Sequence, residues 1–328
     1  MTIIAVIGSN SFSGSNFIDA VLKKTDYKII GISRSSEKNR IFLPHKKNEN
    51  GRFVFHQLDI NKDLEKIINL LKKENVDIVV NYAAQGTVEE SWNNPEQWFK
   101  TNCMAVVNLV QELRKLYSLK KYIHISTNEV YGSCTNADEN APLNPSTPYA
   151  SSKAAADIFI KNFISQFNFP AILIRSTNVY GPGQDLFRII PRSIINLKLN
   201  KGVQLHGGGK AKKSYLYIED NSEGTLKIVQ FGKIGQIYNL SSSKSISIKD
   251  VVRKICEKLG KNFDNCVETV EERQGQDSEY LLDSTKARKD LNWEPKTEFD
   301  EGIDKCIEWV NKNWDFIRTS SLEYQYKS

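Results

Sequence analysis

Five polar side chains of the types found in acid–base sites lie in one short stretch of the chain. Thr127, Asn128 and Glu129 directly follow an apolar segment, and Tyr149 and Lys153 stand four residues apart in a predicted helix. This spacing places the phenol and the ammonium on one helix face, where the positive charge is expected to lower the pKa of the tyrosine. A hydroxyl, a carboxylate and a tunable phenol predict an acid–base site, provided that the fold brings them together.

The elements that must position these residues are strands and helices in alternation. Short apolar runs, typical of strands buried on both faces, cover residues 2–7, 28–33, 53–58, 77–80, 122–126 and 171–176. Apolar residues at helical spacing follow most of these runs, which predicts an α/β fold with a doubly wound parallel sheet of the Rossmann type. Ligands bind beyond the carboxyl ends of such strands. Residues at those ends are Gly8, Arg34, Asp59, Ala83, Thr127 and Asn178.

The turn after the first strand is suited to a dinucleotide. Gly8-Ser-Asn-Ser-Phe-Ser-Gly14 leads into a helix, and glycines there let the backbone approach a pyrophosphate; Ser11 stands where a middle glycine is usual. The second strand ends in Ser33 and Arg34 and not in an acidic residue, which favours NADP over NAD by a small margin. The alternative is that Arg34 is an exposed loop residue.

Composition and charge exclude several classes of protein. The chain has 328 residues, 40% hydrophobic and 26% charged, as in ordinary globular proteins. The net charge of +6 comes mostly from scattered lysines, and without a dense basic run no nucleic-acid partner is expected. No apolar run approaches the roughly 20 residues that span a membrane, and the first residues predict a strand and not a signal peptide. Five cysteines without metal-ligand spacing predict free thiols in a reducing cytoplasm and no metal site.

The regular alternation ends near residue 180, which suggests a second domain. We expect a dinucleotide-binding domain over 1–180, to which a strand and helix near 214–242 return. Residues 181–213 and 243–320 are expected to form a smaller C-terminal α/β substrate domain, followed by a polar, mobile tail over 321–328.

Motifs along nearly the whole chain resemble those of extended short-chain dehydrogenases/reductases, specifically the nucleotide-sugar 4,6-dehydratases. They are the glycine turn 8–14, Asp59-Ile60, Asn81-Tyr-Ala-Ala, Thr101-Asn102, Ser126-Thr-Asn-Glu-Val-Tyr-Gly132, Tyr149-x-x-x-Lys153, Asn178-Val-Tyr-Gly-Pro, Tyr215-Leu-Tyr-Ile-Glu-Asp220 and Arg273-Gln-Gly-Gln-Asp277. The resemblance implies a tightly bound, regenerated cofactor, a nucleotide-sugar substrate, and a homodimer formed through helices at about 93–117 and 149–167. The cofactor-binding residues it implies are Gly8, Ser11, Phe12, Ser13, Gly14, Ser33, Arg34, Asp59, Ile60, Ala83, Ala84, Asn102, Tyr149 and Lys153.

The resemblance also implies a role for each catalytic residue. Tyr149, assisted by Lys153, removes the proton of the sugar 4-hydroxyl as hydride leaves C4, and Thr127 hydrogen-bonds the same oxygen. Glu129 then removes the C5 proton, the 6-hydroxyl leaves as water, and the hydride returns to C6. The implied substrate-binding residues are Gln85, Asn178, Arg192, Lys213 and Arg273, the last four at the diphosphate. For Arg192 the alternative is a surface position on a helix.

Two positions depart from the family pattern. dTDP-glucose dehydratases carry an aspartate where this chain has Asn128, and an amide cannot donate that proton. GDP-mannose-type dehydratases match better, with a single glutamate acting as base and then as acid. We therefore expect a GDP- or UDP-linked hexose, N-acetylhexosamines included, and not dTDP-glucose. Lys213 stands where an arginine is usual; it keeps the charge and loses the bidentate fork.

Other functions on the same scaffold remain open. Glu129 argues against a 4-epimerase, which needs no base at C5. It does not exclude a decarboxylase of a uronic acid sugar, which would need a further arginine near C6 that the sequence does not locate. A non-catalytic cofactor-binding protein, regulatory or RNA-binding, is disfavoured because both Tyr149 and Lys153 are present.

Overall fold

The computed structural model describes residues 1–48, 51–272, 274–275 and 277–326. Its strands are β1 (Ile3–Ile7), β2 (Lys28–Ser33), β3 (Phe53–Gln57), β4 (Ile78–Asn81), β5 (Lys121–Ile125), β6 (Cys134–Ala137), β7 (Ala171–Ser176), β8 (Asn178–Tyr180), β9 (Val203–His206), β10 (Lys212–Tyr217), β11 (Ile237–Leu240), β12 (Ser245–Ser247), β13 (Val267–Val270) and β14 (Glu279–Leu282). Its helices are α1 (Phe12–Lys24), α2 (Leu64–Lys73), α3 (Val88–Asn93), α4 (Pro95–Phe99), α5 (Ala105–Leu113), α6 (Pro148–Phe167), α7 (Ile189–Lys198), α8 (Ile218–Phe231), α9 (Ile248–Lys258), α10 (Phe263–Cys266), α11 (Thr285–Leu291), α12 (Phe299–Lys312) and α13 (Trp314–Ile317). In the part of the chain that the structure describes, no helix combines the length and the apolar character needed to cross a bilayer.

A seven-stranded parallel sheet carries the fold, in the order β11-β7-β5-β4-β1-β2-β3. The chain moves outward from β1 in both directions, so the order reverses between β1 and β4. This confirms the predicted doubly wound Rossmann-type sheet. All six predicted strands are present, and β11 adds a seventh beside β7. Crevices that bind ligands open at such reversal points, beyond the carboxyl ends of the strands.

Helices cover both faces of this sheet because its strands are apolar on both sides. Ile4 and Val6 of β1 belong to the apolar cluster shared with α1 and α8, whereas Ala5 and Ile7 belong to the cluster shared with α2, α5 and α6. All four side chains are at most 1% exposed. Burying each large apolar side chain contributes about 1.5–3 kcal/mol, which fixes the strand ends that bear the site.

The later part of the chain builds a smaller layer beside the sheet ends. Strands β12, β10, β14 and β6 form a mixed sheet, with β8 paired to β10, and β9 pairs with β13. Helices α7, α9 and α12 bury a third apolar cluster that includes Ile194, Val252 and Ile303. The segment between 212 and 240 serves both parts: β10 lies in the small sheet, while β11 joins the large one.

The helix expected over about 93–117 is interrupted. A π-helical turn, Lys100–Met104, separates α4 from α5. Within it, Asn102 is completely buried, accepts from the backbone nitrogen of Gln85 at 2.8 Å and donates to Ser152 Oγ at 3.0 Å. The wider turn gives a polar side chain inside a packed helix the partners that it needs.

Candidate active site

A cleft of about 2300 Å³ opens at the carboxyl ends of the large sheet and extends to the small one. It brings together most of the side chains that the sequence predicts. Those lining it are Gly8, Ser11, Phe12, Ser13, Ser33, Arg34, Asp59, Ile60, Ala83, Ala84, Gln85, Thr127, Asn128, Glu129, Tyr149, Lys153, Asn178, Arg192 and Lys213. Gly14 and Asn102 are described but do not line it, and Arg273 lies outside the described residues.

The turn between β1 and α1 is shaped for a close backbone approach. Gly8 has φ +87°, and a Cβ there would lie 2.6 Å from the backbone nitrogen of Ala83. Ser11 caps α1: its hydroxyl donates to Gly8 O at 2.7 Å and accepts from Gly14 N at 3.0 Å. The helix therefore begins at the cleft, where its N-terminus is suited to binding an anion. Gly14 is required for packing inside this turn, because a Cβ there would strike the Gly8 carbonyl; its contact with a cofactor stays a prediction.

The end of β2 is tied to the same turn. Ser33 Oγ accepts from the backbone nitrogen of Asn10 at 3.0 Å, and the Asn10 amide donates to the carbonyls of Ser35 and Ser36. Arg34 lines the cleft beside them. A basic residue thus flanks the turn where a dinucleotide ribose would lie.

The catalytic candidates sit on two capped turns. After β5, Thr127 Oγ1 accepts from the backbone nitrogen of Glu129 at 3.3 Å and opens a short 3₁₀ turn, Asn128–Tyr131. The helix α6 starts behind Thr147, whose hydroxyl accepts from Ala150 N at 3.1 Å. These caps bring the phenol of Tyr149 into hydrogen-bonding contact with Thr127.

Lys153 lies directly behind these residues and is 2% exposed. Its ammonium donates to the carbonyl of Ile125 at 2.8 Å and lies 3.4 Å from His124 Nε2. Burial lowers the pKa of Lys153 to about 8, against the opposing charge of Asp157. His124 is also completely buried, and burial and the neighbouring cations hold its pKa well below the usual value.

The expectation that Lys153 lowers the pKa of Tyr149 is wrong for the protein by itself. Burial and the charge of Glu129 raise the pKa of the phenol, while the hydrogen bond from Thr127 and the charge of Arg188 lower it in part. The ammonium of Lys153 is directed to Ile125 and His124 instead.

Glu129 lies among opposing charges. Burial raises the pKa of its carboxyl; Lys213 lowers that pKa, Asp277 raises it and Arg188 lowers it. A carboxyl with a raised pKa is suited both to removing and to returning a proton.

Among the buried polar atoms of cleft residues that have no hydrogen-bond partner within the described part of the chain are Ser126 Oγ, Asn128 Nδ2 and Asn178 Oδ1. Buried polar atoms are rarely left unpaired in folded proteins. Their position on the cleft wall fits a polar ligand that supplies the missing partners.

Asn102 is described but does not line the cleft, and its contact with a cofactor stays a prediction. Besides its bonds to Gln85 N and Ser152, its amide donates to the carbonyl of Gln85 at 3.0 Å. All of these bonds hold the loop after β4, which contributes Ala83, Ala84 and Gln85 to the cleft wall.

Several cleft residues escaped the sequence-based prediction. Arg188 lies four residues before Arg192, and its guanidinium donates to the carbonyl of Gly86 at 3.2 Å. The sequence does contain a signal for Arg188: it and Arg192 are two basic residues at helical spacing, shortly after the Tyr-Gly-Pro segment. Asp277 and Tyr280 also line the cleft near Glu129.

Residues 321–326, part of the segment expected to be a mobile tail, pack over the cleft. Glu323 pairs with Arg192 at 3.2 Å, and the hydroxyl of Tyr324 donates to Gln85 Oε1 at 3.4 Å. The ring of Tyr324 meets that of Phe187 edge-on, with the centroids 5.2 Å apart. Aromatic contacts of this kind stabilise the packed position of the segment despite its polar composition.

Comparisons with known proteins agree with this geometry. A family model described as GDP-mannose 4,6 dehydratase matches residues 6–306. Human dTDP-D-glucose 4,6-dehydratase is 32% identical over 323 residues, covering 95% of this chain and 90% of that protein. A trifunctional enzyme from Arabidopsis thaliana, UDP-glucose 4,6-dehydratase/UDP-4-keto-6-deoxy-D-glucose 3,5-epimerase/UDP-4-keto-L-rhamnose-reductase, is 30% identical; the match covers 94% of this chain and about half, 47%, of that enzyme.

Two solved structures are similar over almost their whole length. The dTDP-glucose 4,6-dehydratase DesIV from Streptomyces venezuelae, with NAD and TYD bound, has a TM-score of 0.90 at 26% identity and covers 96% of this chain and 98% of that one. The UDP-glucuronic acid 4-epimerase from Bacillus cereus, in complex with UDP-glucuronic acid and NAD, has a TM-score of 0.86 at 26% identity, with coverages of 95% and 99%.

Proposed function

This chain belongs to the GDP-mannose 4,6-dehydratase family, and we propose that it converts a nucleoside-diphosphate hexose to the 4-keto-6-deoxy sugar nucleotide. One observation carries the proposal: Thr127, Glu129 and Tyr149 meet in a single cleft whose wall presents unpartnered polar atoms. An alcohol oxidation alone would need only the tyrosine and the lysine. The carboxyl of Glu129, with its raised pKa, adds the capacity for elimination.

The residues fit a nicotinamide dinucleotide. The glycine turn would receive the pyrophosphate at the start of α1, Ser33 and Arg34 the adenosine ribose, and Ala83, Ala84 and Lys153 the nicotinamide half. When bound, the nicotinamide takes up hydride from the sugar C4 and returns it to C6, so that the cofactor is regenerated. The similar dehydratase and epimerase structures contain NAD. Arg34 supports NADP as the alternative, and the two cofactors are to be compared directly.

The chain's own residues handle the protons. Tyr149, ionised once the positive charge of a bound nicotinamide opposes burial and the charge of Glu129, accepts the proton of the 4-hydroxyl, and Thr127 hydrogen-bonds both that phenol and the sugar oxygen. Glu129 takes the proton from C5, made acidic by the adjacent ketone, and gives it to the departing 6-hydroxyl, which leaves as water. When hydride returns to C6, C5 takes up a proton that comes from solvent, and Tyr149 releases the 4-hydroxyl proton to solvent. The Asn128 amide donates a hydrogen bond from its unpartnered Nδ2 and transfers no proton.

Basic side chains on the cleft wall support a diphosphate-linked substrate. Arg188, Arg192 and Lys213 line the cleft, and Asn178 presents an unpartnered carbonyl oxygen there. The departure at Asn128 favours a GDP- or UDP-linked hexose, N-acetylhexosamines included, over dTDP-glucose. The relatives named above act on UDP-glucose or dTDP-glucose, so UDP-glucose is the first substrate to test.

A second candidate is a decarboxylase acting on a UDP-linked uronic acid. Arg188 supports it, because its charge acts on both Glu129 and Tyr149 and so provides the arginine that such a reaction needs near C6. A 4-epimerase shares the fold but leaves Glu129 without a task.

The test is incubation of the purified protein in deuterated water with UDP-glucose, GDP-mannose, dTDP-glucose and UDP-glucuronic acid. We expect a 4-keto-6-deoxy product carrying deuterium at C5. Glu129→Gln should oxidise C4 and release no water, whereas Glu65→Gln, an exposed control on α2, should turn over normally. Carbon dioxide release from UDP-glucuronic acid would identify the decarboxylase. Full dehydration by the Glu129 variant would contradict its role as the C5 base.

We also propose a homodimer in a reducing cytoplasm. Phe99, Met104 and Ile158, on or beside the two helices expected to pair, are each 39–52% exposed. Covering such side chains with a second copy removes apolar surface from water. All five cysteines are free thiols, as a reducing compartment requires.

A further inference from the structure

The ammonium of Lys213 lies over the face of an aromatic ring. The parallel strands β10 and β14 place Lys213 opposite Tyr280, and Lys213 Nζ is 4.0 Å from the centroid of that ring. Tyr280 is only 2% exposed, so packing fixes where the ring lies. The negative face of an aromatic ring attracts a cation, most strongly where water is excluded.

The phenol of Tyr280 is in turn fixed by a buried carboxylate. Tyr280 donates its hydroxyl proton to Asp277 Oδ2, and Ser146 Oγ donates to the same oxygen at 2.6 Å. Ser133 Oγ donates to the other oxygen, Oδ1, at 2.9 Å. Asp277 is 7% exposed, so these hydroxyls hold it in a site from which bulk water is largely absent. Hydrogen bonds to an ionised group are about twice as strong as those between neutral groups, which makes this support rigid.

We propose that Tyr280 is a positioning residue, which holds the Lys213 ammonium where the substrate diphosphate binds, and that Asp277 with Ser133 and Ser146 keeps the ring in place. A lysine has a flexible four-carbon stem, and ordering it on binding costs conformational entropy. A lysine that already rests on a fixed ring has lost much of that freedom, so it binds an anion at a lower entropic cost. By holding the lysine in place, the ring compensates for the bidentate geometry that the family's usual arginine has and a lysine lacks.

A double-mutant cycle on nucleotide binding tests the proposal. Calorimetry measures the affinity for UDP, GDP or dTDP, whichever binds the wild type most tightly, in Tyr280→Leu, Lys213→Met and the double variant. We expect Tyr280→Leu to weaken binding about three- to tenfold in the Lys213 background and less than about twofold in the methionine background. Tyr280→Phe keeps the ring face but loses the hydrogen bond to Asp277, so it should weaken binding less than Tyr280→Leu does. Equal losses in both backgrounds would mean that Tyr280 only stabilises the fold, and would overturn the proposal.

Ring fluorination keeps the test valid if the leucine variant fails to fold. Phenylalanines with increasing fluorine content at position 280 preserve the shape and progressively weaken the attraction of the ring face for a cation. Affinity should fall stepwise with fluorine number, and an affinity independent of it would refute the role. The proposal rests on the proposed function only for the diphosphate ligand. Because binding needs no turnover, inactivity toward every sugar nucleotide would count against the dehydratase and leave this result intact.

Discussion

The buried ion pair behind the catalytic lysine allows a strong prediction. Arg175 Nε and Nη2 each lie 2.9 Å from Asp157 Oδ2, and neither side chain is more than 2% exposed. Replacing Asp157 by asparagine leaves the guanidinium and the ammonium of Lys153 buried without that carboxylate. Removing one partner of such a pair costs about 3–5 kcal/mol, because the other charge cannot be rehydrated. We therefore expect Asp157→Asn to lower the free energy of unfolding by about that amount.

Urea unfolding at neutral pH measures this loss, and the chain offers a matched control. Lys254 and Asp300 also pair at 2.9 Å, but their side chains are 35% and 58% exposed. Because solvent screens that pair, Asp300→Asn should cost less than about 1 kcal/mol. The double variant Asp157→Leu/Arg175→Met removes both charges and should recover most of the stability. Equal losses in the two asparagine variants would refute the reasoning.

The same substitution should alter the pH dependence of turnover. The charge of Asp157 raises the pKa of Lys153, against the burial that brings it to about 8. Without that charge the ammonium loses its proton at a lower pH, so the alkaline limb of the kcat profile should move toward neutrality. The profile of Asp300→Asn should be unchanged, because that pair lies between α9 and α12. A wild-type profile for Asp157→Asn would show that its charge does not reach Lys153.

Three further predictions concern other parts of the cleft. Asn102→Ala should weaken dinucleotide binding in a fluorescence titration and cost about 1–3 kcal/mol of stability, since it frees buried backbone groups of Gln85, whereas the exposed Asn108→Ala should change neither. Arg34→Asp should shift the kcat/KM ratio of the two cofactors toward NAD, measured after exchange of the bound cofactor. Truncation after Ser320 should raise the KM for the sugar nucleotide several-fold by removing Glu323 and Tyr324 from the cleft; an unchanged KM would exclude a role for this segment.

The sheet could be predicted because its strands are encoded locally. Runs such as 28–33 and 171–176 are apolar throughout, and the structure has β2 and β7 at these bounds. Ligands bind beyond the carboxyl ends of parallel strands. Once the strands are known, this rule alone predicts that Gly8, Thr127 and Asn178 lie in one cleft. Most of the candidate site therefore followed from local patterns combined with one rule of topology.

The remaining features depend on contacts between distant segments. Tyr324 contacts Gln85, which is 239 residues away in the sequence, and no periodic pattern of residues predicts such a contact. The motif around Asn102 predicts a cofactor contact, but it does not predict the bonds to Gln85 and Ser152 that this side chain makes from the π-helical turn. The pKa of Tyr149 was predicted from its spacing to Lys153, whereas burial, which spacing does not report, dominates it.

The charges around Glu129 explain how one carboxyl can act twice. A base must be ionised at first and an acid must then hold the proton, so the pKa has to lie near the working pH. Burial and Asp277 raise the pKa of Glu129, while Lys213 and Arg188 lower it in the protein by itself. A diphosphate bound at Lys213 and Arg188 would oppose these two cations and let the pKa rise further. The bound substrate would thus increase the proton affinity of Glu129, so that the carboxylate takes the C5 proton and holds it until the 6-hydroxyl departs with it. Asn128 then does not have to donate a proton. A diphosphate bound at Lys213 and Arg188 would raise the pKa of Glu129, so that this carboxyl could take the role that the aspartate has in dTDP-glucose dehydratases.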